Sequence, residues 1–385
     1  MQRLRKLFRP RRPALVLGNR IRLLKNGSEI FPEMLQAIQA ARETIHLETY
    51  IFRSDQMGWR FAEALAAKAK GGISVKIVYD AVGSLTADPR FFQFMEEAGV
   101  ELFEYHPIAP WKRGWNRPWS IKRRDHRKVL IVDGRCAFVG SANIGDEYNA
   151  LSEGGGGWRD THIKLEGPAV FRLQQIFLST WFKNKRRKLK DDASYFPTVP
   201  RSGNVMVSTV ASNGLRGRNQ IKKAYLRAIL RAKTRICITN AYFVPPSWFL
   251  RALKKARRRG VEVSVLLPKR SDVRVIDYAS RALYSQLLKW GVRIFEWEGP
   301  VLHAKTAVVD GRWSTIGSSN MDPFSFLYNL EVNVVAVGTT FGAEMEEMFW
   351  EDLKQAREIL APEWLRRNRL QRVLESTFYY LLGWI

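Results

Sequence analysis

The chain has 385 residues, 46% of them apolar, enough for two domains or one large duplicated unit with buried cores, and this excludes a chain disordered as a whole. Lys and Arg number 63 against 37 acidic residues, a formal charge of +26, so the expected partner surface is polyanionic, either nucleic acid or an anionic membrane. Only two cysteines occur, Cys136 and Cys237, each in an apolar run, which excludes a disulfide framework.

In chain order, the arginine-rich segment Met1 to Arg12 reads as a solvated arm suited to anionic headgroups. The apolar run behind it is too short for a signal-peptide core, so export is not expected and the cytoplasmic side is. Nowhere do about eighteen apolar residues run uninterrupted, so any membrane contact is expected to be peripheral.

Met34 to Phe52 reads as an amphipathic helix running into a strand, TIHLETYIF. A second helix and a β-branched strand follow in FAEALAAKAKGGISVKIVYD, and a third helix stops at Gly99 before VELFEY. Next comes HPIAPWKRGWNRPWSIKRRD, whose Trp111, Trp115 and Trp119 among basic residues suit a headgroup layer. HRKVLIVDGRCAFVG then reads as two strands joined by a tight Asp133-Gly134 turn. Gly154 to Gly157 reads as a flexible loop, and WRDTHIKLEG as an alternating strand that carries Asp160.

After a polar, proline-broken linker the pattern returns. Ile221 to Val244 is again helix then strand, with Tyr242 matching Tyr50, and FLRALKKARRRGVEVSVLLP and the helix ending at Gly291 repeat the next elements. HAKTAVVDGRWSTIG repeats the hairpin, and NLEVNVVAVG carries Glu331. The expected fold class is α/β, two tandem α/β/α units related by internal duplication with one site at their interface. The boundaries are 1–19 for the arm, 20–195 for the first unit, 196–203 for the linker, 204–350 for the second unit and 351–385 for an amphipathic C-terminal segment. In that last segment Leu370, Val373, Leu374, Phe378, Leu381 and Ile385 recur at helical spacing, suited equally to the protein's own core and to a bilayer.

The chemistry sits in a repeated constellation. His126, Lys128 and Asp133 are trailed by Gly140, Ser141 and Asn143; His303, Lys305 and Asp310 are trailed by Gly317, Ser318 and Asn320 at identical offsets. Side chains alternate along a strand, so each histidine projects with its lysine, while the aspartates, at odd offsets and in the turn, are expected to brace the hairpins. Ser141, Asn143, Ser318 and Asn320 offer donors suited to phosphate oxygens. Asp160 and Glu331 are placed to hold a ring nitrogen of a catalytic histidine. His46, His106 and His162 stand outside the repeat and read as structural.

On these residues the chain resembles the phospholipase D superfamily, whose signature is this histidine-lysine-aspartate motif used twice. DHRKVLIVDG, GSANIGDEYN, WRDTHIKLEGPAV and GSSNMDPFSFLYNLEVN are similar to bacterial cardiolipin synthases, in the shorter branch without N-terminal spanning helices. The resemblance implies a phosphatidyltransferase that joins two phosphatidylglycerol molecules and releases glycerol, with no cofactor and no metal. It implies a catalytic set of both motifs, Asp133 and Asp310 included, with His126 as nucleophile and His303 as acid and base; the residues alone leave that order open. The expected partner is an anionic phospholipid membrane containing phosphatidylglycerol, nucleic acid is not favoured, and one chain, holding both motifs, is expected to act as a monomer. Lipid hydrolysis and nucleic-acid cleavage use the same site chemistry and remain the alternatives.

Overall fold

The computed structural model describes residues 14–108, 123–184, 195–213 and 219–384. Residues 1–13 of the arm, residues 185–194 ahead of the linker, Ile385, and the insertion tryptophans Trp111, Trp115 and Trp119 lie outside the described residues.

Seven strands build the first unit: β1 (Val16–Lys25), β2 (Thr44–Thr49), β3 (Ser74–Asp80), β4 (Glu101–Tyr105), β5 (Val129–Val132), β6 (Cys136–Gly140) and β7 (Thr161–Glu166). The second unit repeats them as β8 (Val205–Asn213), β9 (Arg235–Asn240), β10 (Glu262–Pro268), β11 (Arg293–Trp297), β12 (Lys305–Val309), β13 (Trp313–Gly317) and β14 (Leu330–Val337), with a short β15 (Ala356–Glu358) added at its edge. Their lateral orders are β1-β7-β6-β5-β2-β3-β4 and β8-β14-β13-β12-β9-β10-β11-β15. β2, β3 and β4 run parallel, as do β9, β10 and β11, and the other neighbours are antiparallel. The duplication is therefore one of topology as well as of sequence.

The units join where β1 pairs with β8, through Val16–Val207 and Asn19–Val205. Buried Asn19 pins this seam, its Nδ2 donating to the carbonyls of Val16 at 2.7 Å and Val205 at 3.2 Å. Elsewhere β13 packs against β6 and β7. Val139, Ile163 and Leu165 of the first unit thus share one core with Ile316, Val332 and Val334 of the second. Burying such side chains stabilises by about 1.5–3 kcal/mol each, so the interface is a core and not a hinge. Helices Asn26–Ala40, Gln56–Lys70 and Pro89–Glu97 cover the outer face of the first unit through Phe31, Phe61 and Phe91. Gln220–Arg231 and Ser247–Arg258 do so in the second through Ile229 and Leu253.

The turns explain the local fold. Asp133 and Asp310 sit at φ 51° and 52°, followed by Gly134 and Gly311 at φ 60° and 58°, the two left-handed residues of a hairpin whose twist matches its strands. Asx side chains tolerate that conformation and glycine takes it freely.

Three readings are refined. The bridges Phe52–Ile144 and Phe243–Met321, with the strand pairings behind them, place Tyr50 opposite Ala241, so Tyr50 and Tyr242 stand one residue out of register. The loop through Gly154 to Gly157, expected to be flexible, is pinned: Gly155, Gly156 and Gly157 donate to the carbonyls of Ala150, Asp146 and Asn149 at 2.8–2.9 Å. The C-terminal stripe is divided within helix Arg369–Trp384. Phe378 stacks on Tyr278 at 5.3 Å and buried Glu375 accepts Arg367 at 2.7 Å, whereas Leu370, Val373, Leu374 and Leu381 are exposed.

Candidate active site

Each histidine reaches across the unit interface and is tied to the other unit's backbone. The amide of His126 donates to the carbonyl of Leu330 at 3.0 Å, and the amide of His303 donates to that of Arg159 at 2.8 Å. Leu330 immediately precedes Glu331, and Arg159 immediately precedes Asp160. That backbone pairing aims each carboxylate at the opposite histidine. His126 Nδ1 donates to Glu331 Oε1 at 3.0 Å, and His303 Nδ1 donates to Asp160 Oδ2 at 2.8 Å. The protonated Nδ1 fixes the tautomer and leaves each Nε2 lone pair free.

A third side chain completes each pair. Ser141 donates its hydroxyl to Asp160, and Ser318 donates to Glu331. The serines, expected on phosphate oxygens, are thus committed to the carboxylates; a hydroxyl with its proton so engaged has only lone pairs left for an anion. Asn143 braces a loop, donating to the Tyr148 hydroxyl at 2.6 Å and accepting the Ile51 amide at 3.1 Å. Asn320 does not meet the expectation either: the atom left buried without a hydrogen-bond partner among the described residues is its Oδ1, an acceptor that a phosphate oxygen cannot satisfy.

Lys128 and Lys305 are buried, and each Nζ donates to the carbonyl of its own motif's histidine, at 2.7 Å and 2.6 Å. Lys128 lies 5.1 Å from the Tyr50 ring and Lys305 5.8 Å from the Tyr242 ring, so both tyrosines reach the same station despite their one-residue offset. Around His303 the rings of Tyr148 and Trp158 stand at 5.5 Å and 5.7 Å.

The motif aspartates are elsewhere. Asp133 accepts the amides of Arg42, Glu43 and Thr44 at 2.8–3.0 Å, and Asp310 those of Lys233, Thr234 and Arg235 at 2.8–3.0 Å. They brace the far ends of the hairpins, as strand alternation requires, and the resemblance's placing of them in the catalytic set is corrected to a structural role.

The electrostatics suit an incoming anion. Burial pushes the His126 ring down to about 4 against the upward pull of Glu331. Burial and the Lys305 charge lower His303 against Asp160. Both shifts favour the neutral ring. Burial also brings Lys128 down to about 7 and Lys305 to about 8. Burial alone would raise the two carboxylates, but His303, Lys305 and Ser141 hold Asp160 below its ordinary value, and His126, Lys128 and Ser318 do the same for Glu331. Two buried ammonium groups with lowered proton affinity gain most when a phosphodiester anion arrives between them.

Sequence reasoning missed the tyrosine pair's contact with the lysines, the Tyr148–Trp158 wall, and Arg159. The last makes a buried bidentate pair across the interface, Nε to Asp352 Oδ1 at 2.7 Å and Nη2 to Oδ2 at 2.8 Å. The repeat of Tyr50 and Tyr242 was the one available signal.

The family described as "Cardiolipin synthase, PLD-like domain" matches residues 34–153 and 225–353. A cardiolipin synthase of Geobacillus sp. (strain WCH70) is 37% identical over 378 residues, 95% of this chain and 74% of that protein. Cardiolipin synthase 1 of Bacillus anthracis is 36% identical over 370 residues, covering 92% of this chain and 70% of that one. Among solved structures, a phosphatidylserine synthase of Haemophilus influenzae superposes with a TM-score of 0.72 at 13% identity, over 99% of this chain and 97% of that one, and shares the fold. The chain belongs to the cardiolipin synthase family of phospholipase D-like proteins.

Proposed function

We propose that this member of the cardiolipin synthase family is a phosphatidyltransferase that moves a phosphatidyl group from one phosphatidylglycerol to another and releases glycerol. The crosswise histidine–carboxylate pairs carry the reading, because they supply one nucleophile and one proton carrier on a single phosphorus. Nε2 of His126 attacks phosphorus while the bond to the glycerol oxygen breaks, and His303 delivers a proton to that oxygen. The product is a phosphatidyl-histidine. A hydroxyl of the second phosphatidylglycerol then gives its proton to His303, its oxygen attacks phosphorus, and the P–N bond breaks. Lys128 and Lys305 face the non-bridging oxygens, where charge builds up. Burial and Lys305 lower the proton affinity of His303, and a bound phosphate anion raises it and so arms the ring as the acid.

Transfer requires that water be kept from the intermediate, and a bilayer covering the cleft does this. Among the described residues no helix is long and apolar enough to cross a membrane. Peripheral docking is supported by Leu85, Leu151, Val273 and Leu327, exposed on the segments after β3, β6, β10 and β13, all at the strand ends that carry the site. The C-terminal helix packs on Arg274–Ala282 with Phe378 against Tyr278 and Arg367 beside Arg281, so its exposed Leu381 lies toward the Val273 end of this surface. The positive charge of +26 favours an anionic bilayer. With both motifs in one chain, a monomer holds a whole site.

Incubating the purified protein with phosphatidylglycerol vesicles, and separately with single-stranded DNA, tests the reading. Cardiolipin and glycerol in equal amounts are expected. Phosphatidic acid alone would mean hydrolysis, and cut DNA with unchanged lipid would mean a nuclease.

A further inference from the structure

The loop after β10 places a carboxylate beside a site otherwise built for an anion. Asp272 is exposed in that loop, and its Oδ2 accepts the Tyr242 hydroxyl at 2.7 Å. The Tyr242 ring in turn flanks Lys305 at 5.8 Å and His303 at 6.5 Å. The Asp272 charge reaches Tyr50 and Tyr148 of the first unit as well, so it stands where the walls of the two units meet at the cleft. It acts on His303 and Lys305 in the direction that keeps their protons.

A carboxylate on this wall repels a bound phosphodiester, a cost that a neutral substrate hydroxyl donating to it would offset. One Asp272 oxygen is engaged by Tyr242, which fixes the group, and the other has no hydrogen-bond partner among the described residues. Both alcohols in the proposed reaction, the departing one and the incoming one, are glycerol headgroups. Each reacts through a terminal oxygen and carries its central hydroxyl one carbon away.

We propose that Asp272, oriented by Tyr242, accepts a hydrogen bond from the central hydroxyl of the glycerol that leaves or enters beside His303, and so selects glycerol headgroups over alcohols lacking that hydroxyl. This rests on the phosphatidyltransferase reading. A site that hydrogen-bonds a substrate hydroxyl rejects the analogue without it, because its own polar group is then left facing an unsatisfied contact. Discrimination therefore belongs to Asp272, and the phosphate-binding lysines are indifferent to it.

Headgroup exchange into dihexanoyl-phosphatidylglycerol tests this, with radiolabelled glycerol and radiolabelled 1,3-propanediol as rival acceptors. The two have equal numbers of terminal hydroxyls and differ only at the central carbon. The wild type is expected to favour glycerol by about tenfold or more in kcat/KM. Asp272→Ala should bring the two near parity by raising KM for glycerol, with KM for propanediol unmoved. Tyr242→Phe, which frees the carboxylate, should lower the preference part of the way. A wild type that uses both alcohols equally, or a preference that survives Asp272→Ala, overturns the inference and leaves the transferase reading standing. Exchange of neither alcohol by the wild type overturns both.

Discussion

Asp160 of the first unit holds His303 of the second, Oδ2 to Nδ1 at 2.8 Å, and the carbonyl just before Asp160 accepts the His303 amide at the same distance. Glu331 and His126 repeat the arrangement in the opposite direction. Neither unit can orient its own histidine, so the site exists only where the shared core presses the halves together. Asp160→Asn and Glu331→Gln are each expected to lower kcat about 100-fold, the scale for removing a carboxylate that sets a catalytic imidazole. Groups acting as one device are not additive. Asp160→Asn should therefore cost little more in a His303→Ala background, and a fully additive loss measured by steady-state kinetics would contradict the crosswise pairing.

The serines give a second outcome. Ser141 and Ser318 donate to Asp160 and Glu331, so Ser141→Ala and Ser318→Ala should lower kcat about tenfold with little change in KM. If the hydroxyls bound the lipid phosphate instead, KM for phosphatidylglycerol would rise and kcat would hold.

The pH profile of kcat/KM, which reports the free enzyme, follows from the buried cations. Activity should rise as the His126 ring loses its proton through about pH 4, fall first as His303, lowered below its ordinary value by burial and Lys305, loses the proton it must deliver, and fall further as Lys128 and Lys305 lose theirs through about 7 and 8. Bound phosphodiester stabilises the protonated lysines, so the alkaline limb of kcat should lie at higher pH than that of kcat/KM. An activity that still climbs at pH 9 in both profiles would remove the lysines from this role.

The motif aspartates separate stability from chemistry. Asp133→Ala and Asp310→Ala each strip a carboxylate from backbone amides. Each is expected to cost about 1–3 kcal/mol of stability, read as an earlier denaturation midpoint, with kcat of the folded protein within about threefold of wild type. Loss of kcat at unchanged stability would return them to the reacting centre.

The hairpins and the shared face of each histidine and lysine were legible because a strand repeats every two residues and Asp-Gly forces a left-handed turn. Alternation also placed Asp160 and Glu331 toward the cleft. It could not tell which histidine each would meet, since a period of two fixes a face and not a neighbouring unit. The serines were assigned to phosphate because a sequence shows a donor without its acceptor. Tyr50 and Tyr242 were aligned as equals because a comparison by type slides over one residue that strand pairing does not. Tyr148 closes a single 3-10 turn and Trp158 and Asp272 lie in loops, where no period marks a side chain's direction.

The central claim is that two halves close one site in which His126 attacks phosphorus and His303 moves the proton. Phosphatidyl-p-nitrophenol, with a leaving group that needs no acid, tests it in a single turnover. His303→Ala should release one equivalent of nitrophenolate and retain the phosphatidyl group on His126, and His126→Ala should release none. A burst in the His126 variant, or none in either, would contradict the account.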